Sequence, residues 1–349
     1  MSNVSDSFVP CGSPAVPVSR VRGEGPDVGP MLSWLKSGGP IREDGAVLSW
    51  INSAHPGYDY PEIAGLALRL LSIEGRSMFL CDRIAAALSS KVSPWGGTGK
   101  EGREYAFDSA MVLGGLLTLA SKKGAITTDP ELLSRLFNFE CDCVRRKVAM
   151  TDCSASARDH WSVRYGAHLL KLSFTLREYP EIGGAPPQSE LLEVLTCDVL
   201  SLFDGRRFRT QAGSRWTYLH SHCYALEGLL GLGEERSATA QAALCAGAAW
   251  LAELQTANGG IPAWHDGRQA SGNARTDATA QALRIWCAVD RINFSQPIGR
   301  ALHFLRMLQS PQGGLFYEPG SQDVNTWATV FAIQGMEWAR EGPRPAELV

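Results

Sequence analysis

The 349 residues contain no run of about five or six basic side chains and nothing approaching about 18 uninterrupted apolar ones. With a formal net charge of −3, the first absence removes the broad positive field that a polyanion requires, so nucleic acid is not expected as a partner. The second leaves no candidate membrane span. The opening MSNVSDSFVPCGSP has neither the basic n-region nor the apolar h-region of a secretory signal. The expected location is therefore the cytoplasm. The nine cysteines include no C-x-x-C pair. Cys141 and Cys143 alone lie close, at a spacing that builds neither a zinc knuckle nor a redox motif. Scattered buried thiols in a reducing compartment are expected, with no metal and no cofactor. Strand signals are also nearly absent, since no alternating Val, Ile, Thr or aromatic run lies between turn pairs.

What is present suits a soluble globular protein with a sizeable core: 44% hydrophobic and 20% charged residues. Residues 1–29 are rich in Ser, Pro, Gly and Val without helical periodicity and read as a disordered leader, leaving 30–349 as one domain. Apolar residues then recur at helical spacing over 63–71, 107–119, 163–172, 223–232, 278–286 and 327–338. Polar groups stand at the starts of these segments: Glu62, Asp108, Arg164, His222, Asp277 and Asn325. Successive separations are 46, 56, 58, 55 and 48 residues, the length that one helical hairpin and its loops consume. Candidate outer helices fall between them, at 80–89, 131–147, 189–202, 238–255 and 297–309. Gly65, Gly114, Gly115, Gly166, Gly228 and Gly335 lie inside the inner set, where each costs about 1 kcal/mol relative to Ala. Close approach of helix backbones around a closed ring accounts for them. The expected fold is an all-α (α/α)6 toroid, an inner ring of helices within an outer one.

The segments YDYPEIAGLALRLL (58–71), AFDSAMVLGGLL (106–117), WSVRYGAHLLKL (161–172), YLHSHCYALEGLLGLG (218–233), RTDATAQALRIW (275–286) and DVNTWATVFAIQGMEWA (323–339) resemble successive inner helices of such toroids. The chain after the leader is similar to six-hairpin proteins of bacterial polysaccharide gene clusters, which resemble six-hairpin glycosidases and sugar epimerases. A second likeness is carried by Trp250, Leu254, Gln255, Gly259, Gly260 and Trp264, echoed by Leu308, Gln309, Gly313, Gly314, Leu315 and Tyr317. This pattern is similar to the QW repeats of squalene-hopene cyclases, in which the Gln is expected to bond the next helix's end while a glycine turn reverses the chain. Arg275 to Ala280 (RTDATA) also resembles the acid motif of class II cyclases, with Asp277 at the proton donor's place. An Asp beside Arg275 is expected to stay ionised, which argues against that role.

In a toroid the inner-helix N-termini open toward one face, so their polar groups should converge whatever capping they also perform. Glu62, desolvated by Tyr58 and Tyr60, is a candidate acid or base. His222 and Asp277 join it as catalytic candidates, with His220 as a proton-shuttling or hydroxyl-binding neighbour. Tyr58, Tyr60, Asp108, Asp323, Asn325 and Trp327 are assigned to substrate binding, and Arg164 and Arg275 to holding a carboxylate or phosphate. The 261–277 segment reads as a polar loop in which Trp264 and His265 face substrate. The resemblance implies an enzyme acting on a sugar, uronic acid or glycan fragment, as epimerase, lyase or hydrolase, with a small molecule or oligosaccharide as its partner. The alternatives are a terpenoid-type cyclase protonating through Asp277 and a noncatalytic toroid that binds a glycan or a protein.

Overall fold

The computed structural model describes residues 25–37, 39–55, 57–124, 128–151 and 161–349. Outer helices α1 (Val28–Lys36), α3 (Met78–Ser89), α5 (Pro130–Arg145), α7 (Ser189–Leu200), α9 (Ala238–Leu254) and α11 (Ser295–Met307) alternate with inner ones. The inner set is α2 (Pro61–Glu74), α4 (Ala106–Lys123), α6 (Ser173–Gly183), α8 (Leu219–Gly231), α10 (Thr276–Asp290) and α12 (Thr326–Glu341). Contacts of α12 with both α1 and α2 close the ring, giving the (α/α)6 toroid. Helix α1 opens at Val28, inside the segment read as a leader; Asp27 caps it by accepting from Gly29 N at 3.0 Å. Residues 1–24 of that segment lie outside the described residues. Among those described, no helix is long and apolar enough to cross a membrane.

Inner helices are buried nearly all round, because each is enclosed by the outer ring on one side and its inner neighbours on the other. Glycine sets their approach. A Cβ on Gly65 would lie 2.4 Å from Met111 O, one on Gly115 2.5 Å from Gly65 O, and one on Gly228 2.3 Å from Leu170 O. The third inner helix starts later than its apolar pattern implies. Gly166 is extended against the 210–211 backbone, with its Cβ position 2.3 Å from Thr210 O, so a 3-10 segment begins only at Ala167 and passes into α6. Arg164, expected at a helix start, therefore precedes it.

Two small antiparallel sheets trim the ring. One joins β1 (Trp50–Ile51), β6 (Val324–Asn325) and β5 (Leu315–Phe316) in that order, so the last hairpin is tied to the chain before α2. The other orders β2 (Thr217–Tyr218), β3 (Ile261–His265) and β4 (Ala270–Arg275). The segment read as a polar loop is thus a hairpin. Its strand signal was hidden because β3 is almost wholly buried while β4 is built from Ala, Ser, Gly and Asn, all poor strand formers.

The paired Gln and Gly residues fasten α9 to α11 and α11 to α1. Gln309 Nε2 donates to Gly313 O at 3.0 Å and to Asp27 O at 2.9 Å, while its Oε1 accepts from Asp27 N. Gln255 Nε2 donates in the same way to Gly259 O and to Pro297 O, at 2.8 and 3.0 Å. The partners are chiefly carbonyl oxygens of the turn and of the following helix. Gly259 (φ +91°) and Gly313 (φ +109°) sit where a Cβ would lie 2.2 and 2.3 Å from the carbonyl oxygens of Arg300 and Pro30. Only glycine fits there. Gly45 and Gly96 meet Arg83 and Arg135 of the outer ring in the same manner.

Candidate active site

At the end of the ring where the inner helices begin lies a cleft of about 370 Å³. Every inner element contributes to it. Tyr58, Tyr60 and Glu62 come from the start of α2, and Phe107 and Asp108 from α4. Trp161 and Ser162 precede the 3-10 segment, and Tyr218 and His220 open α8. Arg275 and Asp277 begin α10, and Asp323, Asn325 and Trp327 begin α12.

Glu62 sits on the floor. Its Oε1 accepts from Trp327 Nε1 at 2.9 Å and from the Tyr224 hydroxyl at 3.2 Å, donors that belong to α12 and α8. Burial raises its carboxyl to about 7, against the opposing pull of those donors and of the Lys100 charge. Asp108 beside it is also raised, by burial and then by Glu62; the Tyr60 hydroxyl donates to its Oδ1 at 3.2 Å, and its Oδ2 is buried without a partner. Two carboxyls sharing a desolvated corner resist ionising together.

Across the cleft the environment is reversed. Burial would raise Asp277 too, but Arg275 donates from NH2 to its Oδ2 at 2.8 Å, His220 lies 3.7 Å from the same oxygen, and Ala278 N donates to Oδ1 at 2.8 Å. Together they hold it below the usual carboxylate range. Arg275 is itself pinned, its guanidinium 3.5 Å from the centre of the Tyr317 ring. Burial lowers His220, which Asp277 only partly offsets, so the imidazole is held toward its neutral form with Nδ1 unbonded. Behind it His168 is fully buried between Phe107 and Trp161, with no partner for either ring nitrogen. Burial and then the neighbouring His220 depress it to about 3.

The cleft thus brings together Tyr58, Tyr60, Glu62, Asp108, His220, Arg275, Asp277, Asp323, Asn325 and Trp327. Asn325 divides its duties: its Oδ1 also caps α12 by accepting from Ala328 N at 2.9 Å. Four expected residues are placed elsewhere. Arg164 is exposed and outside the cleft. His222 is fully buried one helical step from His220, where Nδ1 accepts from Phe208 N at 3.1 Å and Nε2 approaches Gly247 O at 3.4 Å. It joins α8 to the chain before β2 and to α9, and so lies outside the cleft in which it was expected. His265 turns away from the cleft, accepting from Gly267 N at Nδ1, 3.0 Å, beside Arg207. Trp264 packs on the far side of Tyr218, ring centres 4.5 Å apart. An i, i+2 pair starting a helix points in different directions, so His220 and His222 could not both face the site.

Sequence reasoning missed Trp50, Lys100, Phe107, Trp161, Tyr218 and Tyr317. Lys100 comes from the glycine-rich GGTGKEG loop, which has no periodicity to mark it; its Nζ lies 5.2 and 5.5 Å from the Tyr60 and Tyr58 ring centres. Tyr218 was discoverable, as it stands two residues before His220, and Tyr317 already belonged to the second Gln–Gly pattern. Among the described residues no group of three or more His, Cys, Asp or Glu is arranged to hold a metal ion.

Among the described residues twelve helices form the ring, with a polar cleft over the inner N-termini, and the fold is that of an (α/α)6 toroid. Its structural neighbours are of this kind. They include a sugar epimerase from a ruminal bacterium (TM-score 0.69, 8% identity, covering 89% of this chain and 98% of that one) and cellobiose 2-epimerase from Bacillus thermoamylovorans B4167 (0.66, 8%, 88% and 97%). An alpha-amylase from Clostridium perfringens is similar to the same extent (0.64, 13%, 90% and 98%). No protein-family model matches the chain, and no curated protein matches it in sequence.

Proposed function

We propose that this protein is an enzyme that acts on a sugar, uronic acid or glycan fragment by acid–base catalysis, with Glu62 and Asp277 as its two principal groups. The observation that carries this reading is the divergence of two carboxyls in one cleft: Glu62 raised to about 7 and Asp277 held low by Arg275. One is a proton donor near neutrality and the other a standing anion, a division of labour that environment alone creates. His220, close to Asp277 and turned toward the neutral form, is placed to carry a proton. The surrounding Trp50, Tyr58, Tyr60 and Trp327 offer apolar faces to the carbon–hydrogen faces of a pyranose, while Asp323 and Asn325 offer acceptors to its hydroxyls. Epimerisation, elimination and hydrolysis all draw on such a pair. The names of the structural neighbours, two sugar epimerases and an alpha-amylase, point to the same substrate class.

The cyclase alternative requires a protonated Asp277, and the Arg275 contact opposes one. The test is incubation with neutral and uronic oligosaccharides, followed by proton NMR, which separates a new reducing end, an inverted carbinol and an unsaturated uronate. Turnover of one of these that falls by about 100-fold or more in Glu62→Gln is expected. Equal turnover by wild type and Glu62→Gln, or turnover of prenyl diphosphates alone, overturns the reading.

A further inference from the structure

Beyond the mouth of the cleft the aromatic wall continues. Trp161 and Tyr218, which line the cleft, have ring centres 5.2 Å apart; Tyr218 is followed by Trp264 at 4.5 Å, and Trp264 by Trp216 at 6.5 Å and nearly perpendicular. The line climbs from buried to open: Tyr218 is 8% exposed, Trp264 half-buried and Trp216 38% exposed. A single exposed aromatic such as Trp95 or Phe79 marks nothing by itself; a contiguous line of rings that runs from the wall of a cleft to the surface marks a candidate ligand surface.

The hairpin that carries Trp264 keeps its surroundings low. Its cross-strand partner is Ser271, and the next residue, Gly272 at φ +80°, has a vacant Cβ position 3.9 Å from Trp264 Cδ1. Residues 270–273 of β4 are all exposed and none is larger than Asn273. Polar groups flank the aromatic line: Arg215, with its guanidinium carbon 5.4 Å from the Trp216 ring centre, and Asn273, bonded to Glu318 at 2.8 Å. Aromatic faces bordered by amide, guanidinium and carboxylate groups suit a ligand that is itself apolar on its ring faces and polar at its edges.

We propose that Trp264 and Trp216 form an outer glycan-binding site, so that the ligand of this protein is an oligosaccharide chain whose end enters the cleft while later sugars lie along the β3–β4 hairpin. This rests on the sugar reading of the cleft. Its volume of about 370 Å³ is near the lower end for ligand pockets and holds roughly one or two rings. A longer chain has to emerge, and the aromatic line is continuous with the wall it would leave by.

The test is titration of the full chain by calorimetry with matched sugars of one to six units, in the neutral and uronic series. Affinity should rise beyond two units. Trp216→Ala and Trp264→Phe should cut the affinity for the longest sugars about 10-fold, leaving that for single sugars within about two-fold. Trp216 is the cleaner position because it is the more exposed, and Trp264→Phe keeps the packing on Tyr218. Single sugars that bind with no gain from added units, or a gain untouched by either variant, would overturn the outer site and leave the cleft reading standing. If wild type binds no sugar of any length, both readings fall.

Discussion

Arg275 NH2 and Asp277 Oδ2 are 2.8 Å apart at the first turn of α10, with the guanidinium stacked on Tyr317. This pair is buried in the wall of the cleft, where the guanidinium faces the Asp277 carboxylate. Asp277→Asn keeps the shape and the acceptor for Ala278 N but leaves the buried Arg275 charge without its anionic partner, so stability should fall by about 3 kcal/mol or more while turnover per folded molecule falls by about 100-fold or more. Arg275→Lys loses both the planar stack and the fixed donor geometry. It should move the acid limb of the rate–pH profile upward, because Asp277 then regains part of the rise that burial imposes. Loss of stability in Asp277→Asn with turnover per folded molecule intact would make the residue a structural partner only.

The Glu62 carboxyl gives a second test through pH. Burial raises it from the ordinary 4.5 to about 7 in the fold, so the folded state holds the proton that the unfolded chain releases. Stability is greatest below about 4.5 and declines as pH rises to about 7, where the folded group also ionises. Glu62→Gln should flatten that part of the curve in melts run across this range, and the activity of wild type should fall above about pH 7 as the donor is lost. A Glu62→Gln protein with an unchanged slope would show that Glu62 is ionised throughout.

His222 should separate structure from chemistry. Removing its ring by His222→Ala leaves Phe208 N without its buried acceptor, at a cost of about 2 kcal/mol or more. Turnover per folded molecule should stay within a few-fold. A selective loss of turnover, with the melting temperature unmoved, would return His222 to the catalytic set.

Gly259 and Gly313 should be intolerant of any side chain. Each combines a left-handed φ with a neighbouring carbonyl oxygen within 2.3 Å of the Cβ position, so alanine brings both strain and a clash, about 2 kcal/mol or more together. Gly205, with φ +98° but nothing within 4 Å of its Cβ position, is the control: alanine there should cost only the conformational part. Equal melting-temperature losses at all three positions would show that the contact with the next outer helix contributes nothing.

The inner ring was legible because every inner helix except the third carries an uninterrupted 3.6-residue apolar pattern and opens on a polar group. The third was misplaced: the pattern over 163–172 covers a 3-10 segment from Ala167, and α6 begins only at Ser173, since Gly166 is held extended by the 210–211 backbone, a contact about 45 residues away in sequence that no local pattern records. The first two residues of α1, Val28 and Gly29, were assigned to the leader because the helix opens on Val-Gly-Pro, which carries no helical periodicity. Convergence of Glu62, Asp108, Asp277 and Asn325 followed from topology alone. The side of α8 that faces the cleft did not: choosing between His220 and His222 requires the helix's rotation, which is fixed by the Phe208 and Gly247 partners. Lys100 was invisible for the opposite reason, lying on a loop whose path only the assembled ring determines.

The Tyr224 hydroxyl reaches Glu62 from α8, the fourth inner element, to α2, the first, and so spans the ring from one side to the other. Phe107 closes on Tyr224 at 4.7 Å between ring centres, and one turn further down α8 Glu227 is locked between Lys171 and Arg284. The toroid is therefore not a tube. Among the described residues these contacts close the axis beneath the cleft, which makes a cup there, and a chain is not expected to thread through it from one face to the other. Whatever enters must present a terminus or a short branch, and what is released must back out along the path of entry before the next molecule arrives.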